Sequence, residues 1–190
     1  MDSAASALRI LTDVLAELQI PYLIGGSVAS SALGVLRATM DVDLLVRLPT
    51  EDVARLAEAL GADWYADLDA MRHALALGRP FNVIHKTTGE KFDIFPARAE
   101  FHEEELKRAR MMDLRLGQET LRLPVASLED IILAKLQWYR AGGEVSERQW
   151  SDVQNLLALN HDVDREYLTN WAQRLGLRDL LARATAQAEN

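Results

Sequence analysis

Two aspartates, Asp41 and Asp43, stand at i and i+2 of an otherwise apolar run, Met40-Asp41-Val42-Asp43-Leu44-Leu45-Val46. Side chains alternate along a strand, so Val42, Leu44 and Val46 would point one way and Asp41, Asp43 and Leu45 the other. Carboxylates paired on one face form a hard oxygen donor set suited to Mg²⁺ or Mn²⁺. Left uncompensated on a mostly buried strand, each would cost several kcal/mol, roughly, so a cation must face them: a metal, Arg37, or both. Further along, Phe92 and Ile94 share a face and leave Asp93 on the other. If its strand lies beside the first, Asp93 is a third carboxylate. Three would allow a two-metal site, with ions about 3.5–4 Å apart clamping the oxygens of a phosphoryl displacement. A carboxylate there can also take the acceptor's proton.

Upstream, the short apolar run Tyr22-Leu23-Ile24 ends in Gly25-Gly26-Ser27, after which a helix is expected from Val28 to about Leu36. Strand, glycines and helix are the parts of a phosphate cradle: glycines allow close backbone approach, and a helix N-terminus offers free N–H groups and a positive dipole end. Ser27 would cap the helix or bind phosphate. Without the downstream acids the same residues would read as a plain turn and cap. The spacing from Ser27 to Asp41 suffices for one helix and a return turn, which would set the Asp41 and Asp43 strand beside the glycines.

The elements positioning these residues are legible as periodicity. An apolar stripe over Ala4–Leu18 predicts a helix stopped by Pro21. After the aspartate strand, Thr50-Glu51-Asp52 caps a helix to about Leu60, and a looser helical stretch covers Asp67 to Leu77. Phe81–His85 and Lys91–Phe95 read as a hairpin across Thr87-Thr88-Gly89-Glu90. A charged helix over Glu100–Arg110 precedes a second hairpin, Leu114–Leu116 with Thr120–Leu123, turning at Gly117-Gln118. Everything after Ser127 reads helical: Ser127 to about Arg140, Ser146–Leu159, Arg165–Leu175 and Leu177–Ala188. The chain is thus expected to be an α/β (α+β) protein with a core over residues 1–126 and a helical C-terminal region, 127–190, packed on it.

Composition narrows the functional classes. Of 190 residues, 49% are apolar and 26% charged, which suits a globular chain with a real core. The absence of cysteine removes disulfides, thiol nucleophiles and cysteine-based zinc sites. The amphipathic start reads as neither signal peptide nor membrane span, so a cytoplasmic protein without membrane association is expected. A net charge of −8 opposes polyanions and suits a small metal-bound nucleotide.

The pattern Gly25-Gly26-Ser27, then Asp41-Val42-Asp43, then Phe92-Asp93-Ile94-Phe95-Pro96 resembles the signature of the nucleotidyltransferase superfamily, over roughly Pro21 to Pro96. The resemblance implies a polymerase-β-like palm, a small mixed sheet with flanking helices. Asp41 and Asp43 would be metal ligands and Asp93 the third carboxylate and base. More narrowly, Arg37-x-Thr39-x-Asp41-x-Asp43, Ser127-Leu128-Glu129-Asp130 to Lys135, and Arg148 to Asp152 resemble the AbiEii-like branch of minimal nucleotidyltransferases, which contains toxins of toxin–antitoxin systems. In that branch Lys135 would reach the nucleotide phosphates and Arg37 would support the carboxylates or the triphosphate. At 190 residues the chain is expected to be without the extended C-terminal region of the longer toxins.

By their own chemistry, Lys135 must snorkel or meet an acid or a phosphate, because its helix is apolar almost all round. Arg37 alone reads as a helix C-terminal charge. Arg148, Trp150 and Asp152 read as residues locking the C-terminal helices together. His73, His85, His102 and His161 show no metal-ligand spacing. The expected activity is metal-dependent transfer of a nucleoside monophosphate from an NTP to an acceptor hydroxyl on RNA, protein or a small molecule. The alternative is a nucleotide-binding module without turnover. An antitoxin partner or a homodimer is compatible with either.

Overall fold

The computed structural model of the chain describes residues 4–35, 41–160 and 162–188, so the expectations for Arg37 and His161 fall outside the described residues. In chain order the elements are α1 (Ala4–Glu17), β1 (Tyr22–Ile24), α2 (Gly26–Ala32), β2 (Val42–Val46), a 3₁₀ turn at Thr50–Asp52, α3 (Val53–Leu60), β3 (Trp64–Tyr65), α4 (Leu68–Leu77), β4 (Phe81–His85), β5 (Lys91–Pro96), α5 (Glu100–Arg108), β6 (Arg110–Leu116), β7 (Glu119–Val125), α6 (Leu128–Ala141), α7 (Glu147–Leu159), α8 (Arg165–Arg174) and α9 (Arg178–Ala188).

The strands form one mixed sheet in the order β3-β4-β5-β2-β1-β7-β6. Its centre is β5-β2-β1-β7: β2 runs antiparallel to β1 and parallel to β5, and β1 meets β7 in parallel through Ile24 and Val125. Alternation in β2 and β5 follows the expected pattern, with Val42, Leu44, Val46, Phe92 and Ile94 all buried. Asp43 and Asp93, on the other face, are only partly covered. Packing of α1 on α3 and β7 and of α2 on β2 and α6, with α6 on α7 and α8, builds the helical layers. No helix among the described residues is long and apolar enough to cross a membrane.

Helix α6 reaches the sheet centre because β7 delivers it there. Ala126 donates to the Ile24 carbonyl at 3.0 Å, and Ser127 then caps α6 by accepting from the Asp130 N–H. The same Ser127 hydroxyl donates to the Asp130 carboxylate at 2.7 Å, and Tyr167 donates to its other oxygen at 2.6 Å. This buried network ties α6 to α8 and fixes the helix that carries Lys135.

Three local expectations change. Helix α2 starts at Gly26 and ends at Ala32 rather than spanning Val28 to Leu36, and its cap residue is Gly25, with no side-chain cap bond from Ser27. The Ser30 and Ser31 hydroxyls bond back to the Gly26 and Ser27 carbonyls, a competition that weakens short helices, and Gly34 leaves the helix at φ +98°. Strand β3 is additional to the expected elements, since two residues carry no period and only pairing of Trp64 with His85 makes them a strand. Strand β6 begins at Arg110 rather than Leu114, because β7 supplies partners for the full length.

Candidate active site

Sheet register assembles the cradle and the acids. Ile24 sits opposite Leu44, and the next N–H, that of Gly25, donates to the Asp43 carbonyl at 2.9 Å. The two glycines then do different things. Gly26 has φ +57°, and a Cβ on it would lie 1.7 Å from Asp43 Oδ2, so the carboxylate occupies space that only glycine leaves open. Gly25 has φ −116° and a Cβ on it would meet nothing nearer than 4.0 Å, so its smallness matters only to a molecule resting on the turn. On the other side of β2, the parallel pairing sets Asp43 opposite Asp93.

Burial, then the nearby Asp93 and Asp41 carboxylates, push the Asp43 carboxyl up to about 6, while Lys135 and Lys91 pull it down. Lys91 lies among the acids, its ammonium 3.1 Å from Asp93 Oδ2 and 3.5 Å from Asp41 Oδ1. The hydrogen bond to Asp93 holds the Lys91 ammonium above its ordinary range. With its amide nitrogen turned inward, Asn82 on β4 donates to Asp93 Oδ1 at 2.6 Å. Among the described residues, no group of three His, Cys, Asp or Glu side chains is gathered tightly enough to hold an ion as it stands. The donor set nonetheless fits a hard divalent cation: it is all carboxylate oxygen, and the burial and mutual repulsion that raise Asp43 are what such an ion would offset.

Cations approach the cradle from the C-terminal helices. Lys135 is buried and its ammonium lies 2.7 Å from Asp152 Oδ2 on α7, a pair in which both side chains are more than nine-tenths covered. Arg148, one turn earlier on α7, brings its guanidinium to 3.5 Å from Ser27 Oγ. Lysine carries three N–H donors, so Asp152 orients the ammonium while others stay available. Because removing one member of a buried pair strands the other charge, Asp152→Ala is expected to cost about 3 kcal/mol. Denaturant melts of that variant against Lys135→Met with Asp152→Ala check this: the double variant recovers most of the loss, and equal melts for all three proteins would refute it.

A cavity of about 400 Å³ is lined by Gly25, Gly26, Ser27 and Asp43, by Leu45 and Lys135, and by Glu105, His102 and Trp138. Asp93, Asp41 and Lys91 do not line it; Asp41 is largely exposed, whereas the Asp93 side chain is mostly covered. Of the expected residues, Gly25, Gly26, Ser27, Asp41, Asp43, Asp93 and Lys135 therefore gather around one end of the sheet. Sequence reasoning passed over Lys91, although its place two residues before Asp93 puts it on the same strand face. It assigned Arg148 only to helix packing. Nothing local to α7 signals an approach to Ser27, which is 121 residues away in sequence.

Among solved structures, the chain is similar to ANT(2'')-Ia in complex with adenylyl-2''-tobramycin, at 18% identity over 90% of this chain and 95% of that one, with a TM-score of 0.51. It is also similar to an antigenic nucleotidyltransferase-like protein from Paracoccidioides brasiliensis, at 18% identity over 95% and 91% of the two chains, with a TM-score of 0.50. The chain thus has the fold of nucleotidyltransferases. No family model matches it and no curated protein does, so the AbiEii-like resemblance rests on its motifs.

Proposed function

We propose that this protein transfers a nucleoside monophosphate from an NTP to an acceptor hydroxyl and releases pyrophosphate. The observation that carries the proposal is the contact of the Asp43 carboxylate with Gly26, in register with Asp93. It puts a phosphate-sized turn and a pair of acids within one side chain of each other, on the fold that nucleotidyltransferases share. That an enzyme fold relative is seen with an adenylylated hydroxyl compound agrees with this chemistry.

Asp41, Asp43 and Asp93 would hold Mg²⁺ or Mn²⁺, which supplies charge neutralisation and polarises the phosphoryl oxygens. Gly25, Gly26 and Ser27 cradle the triphosphate through backbone N–H groups, and Arg148 and Lys135 offset its charge from α7 and α6. Arg37 is assigned the same task. Asp93 accepts the proton of the attacking hydroxyl. The new bond joins that oxygen to the α-phosphorus, the bond from the α-phosphorus to the bridging oxygen breaks, and the electron pair leaves with pyrophosphate. Lys91 then has a defined place: it neutralises Asp41 and Asp93 and must yield when a divalent ion enters.

The acceptor is an RNA end, a protein hydroxyl or a small molecule, and the resemblance to toxin components makes a role in a toxin–antitoxin pair the specific form to test. Incubation with each NTP, Mg²⁺ or Mn²⁺, and fractionated cell extract should release pyrophosphate and label an acceptor. If NTP binds but no acceptor ever yields pyrophosphate, the activity is absent and the second reading, a binding module, takes over. Lys91 standing among the acids favours that reading, since it supplies part of the charge an ion would bring.

Asp43 also imposes a pH dependence. Its carboxyl must ionise to bind an ion, and without one it does so near pH 6. Metal-dependent NTP binding is therefore expected to be full above pH 7 and to weaken by roughly tenfold at one unit below 6. Titrations at pH 7.5 and pH 5 check this, and equal affinities at the two would contradict it.

A further inference from the structure

Two residues along β2 and β5 from Asp43 and Asp93, and one turn along α6 from Lys135, the cavity lining changes character. Its wall includes Phe95 and Trp138, whose rings meet edge to face with centroids 5.7 Å apart. Trp138 leaves 53% of its surface exposed, an uncommon state for a tryptophan unless something stacks on it. Glu105, 6% exposed, also lines the cavity, on the α5 face that carries His102 one turn earlier. It has no hydrogen-bond or ion-pair partner among the described residues. The nearest cation on its own helix, Arg108, is turned to Glu129 and Asp130; from α6 Glu105 faces Asp130, a like charge. Burial and that neighbour hold its carboxyl up to about 9, so at neutral pH it is an uncharged acid with one O–H donor and one acceptor oxygen. His102 accepts from the Arg98 and Ala99 N–H groups through Nδ1, which leaves Nε2 to carry the proton of the neutral ring, and burial favours that neutral form.

An unpartnered buried acid is costly unless something completes it. A stretch of lining with two aromatic rings and an uncharged carboxyl as donor and acceptor is unsuited to a polycation. It is complementary to a planar heteroaromatic ring whose edge sets a donor beside an acceptor. We infer that this part of the cavity is the nucleobase slot of the NTP, with Glu105 hydrogen-bonding the edge of the base and Trp138 and Phe95 covering its face. The inference rests on the proposed function, since it takes the triphosphate to lie on Gly25, Gly26 and Ser27. The acceptor then belongs on the Asp93 side, since Asp93 stands outside the cavity lining.

The test compares calorimetric titrations of Mg²⁺ with ATP, GTP, CTP, UTP and inorganic tripolyphosphate, for wild type, Glu105→Met and Glu105→Gln. Tripolyphosphate has the charge of the nucleotide tail and no base. Wild type is expected to bind one NTP at least about tenfold more tightly than tripolyphosphate. Glu105→Met should weaken that NTP several-fold toward the tripolyphosphate affinity, short of it because Trp138 and Phe95 still cover the base, and leave tripolyphosphate itself unchanged, while Glu105→Gln, which keeps a donor and an acceptor, retains most of the advantage. NTP binding unaltered in Glu105→Met, or equal affinities of wild type for tripolyphosphate and all four NTPs, would overturn the base slot and leave the proposed function standing. Failure of wild type to bind both NTP and tripolyphosphate would overturn the two together. Should Glu105→Met not fold, the ratio of NTP to tripolyphosphate affinity in wild type and Glu105→Gln still decides.

Discussion

Gly26→Ala is expected to abolish nucleotide binding, with a loss of at least roughly a hundredfold, while Gly25→Ala leaves the unliganded protein almost untouched. The difference lies in what each missing Cβ would meet. At Gly26 the backbone is left-handed, which costs an alanine about 1–2 kcal/mol. The new carbon would also fall 1.7 Å from Asp43 Oδ2. Either the turn opens or Asp43 swings away, and both outcomes separate the phosphate cradle from the metal ligand. At Gly25 the backbone suits any residue and the nearest atom to a Cβ is a carbonyl oxygen at 4.0 Å. Thermal melts and NTP titrations of both variants check this. A Gly26→Ala protein that binds NTP like wild type would show that the contact with Asp43 does not organise the site.

Asp43→Asn should move function and stability in opposite directions. Transfer is expected to fall by at least about a thousandfold, because an amide neither offsets the charge of an ion nor restores the lost oxygen donor. The protein stripped of metal should become more stable. An acid raised in the folded state costs stability wherever it must ionise, so the cost is complete above about pH 6, where Asp43 is charged in both states, and fades as pH falls toward the ordinary aspartate range. Asparagine removes it, for a gain of about 2 kcal/mol at pH 7.5 once partial exposure is allowed for. Melts in chelator at pH 7.5 and pH 4.5 should show a clear gain at the first and about a third of it at the second. A variant less stable than wild type at pH 7.5 would mean that the Asp43 carboxylate is held by favourable partners rather than kept against burial and repulsion. Such opposition is the usual mark of a functional group kept at the expense of the fold.

Features set by local periods are legible in the sequence. A strand's period of two puts Asp43 and Asp93 on the faces opposite to Leu44 and Ile94, and Ser127, Ser146 and Asp67 mark helix starts where they are found. Pairing is not supplied by local periods. That Asp43 lies opposite Asp93 depends on a parallel ladder between strands some fifty residues apart, and the pattern makes it only an expectation. The short α2 comes from serine side chains competing for backbone carbonyls, a choice that apolar spacing does not record. Lys91 is within reach of the sequence, since the alternation that exposes Asp93 exposes it too. Arg148 beside Ser27, Asp152 beneath Lys135 and Glu105 in the cavity wall depend on where α5, α6 and α7 dock on the sheet. For Lys135 the sequence leaves snorkelling, an acid or a phosphate, and its bond to Asp152 is the acid among those choices.

The measurement closest to the central claim is calorimetric titration of each NTP, with Mg²⁺ or Mn²⁺ and again in chelator, into wild type and into the variant carrying Asp41→Ala and Asp43→Ala. Binding that requires the metal in wild type and vanishes in the double variant is the predicted result. Binding of equal strength in both proteins, or none by wild type under any condition, would contradict the assignment of these aspartates and the glycine turn to a metal-bound nucleotide.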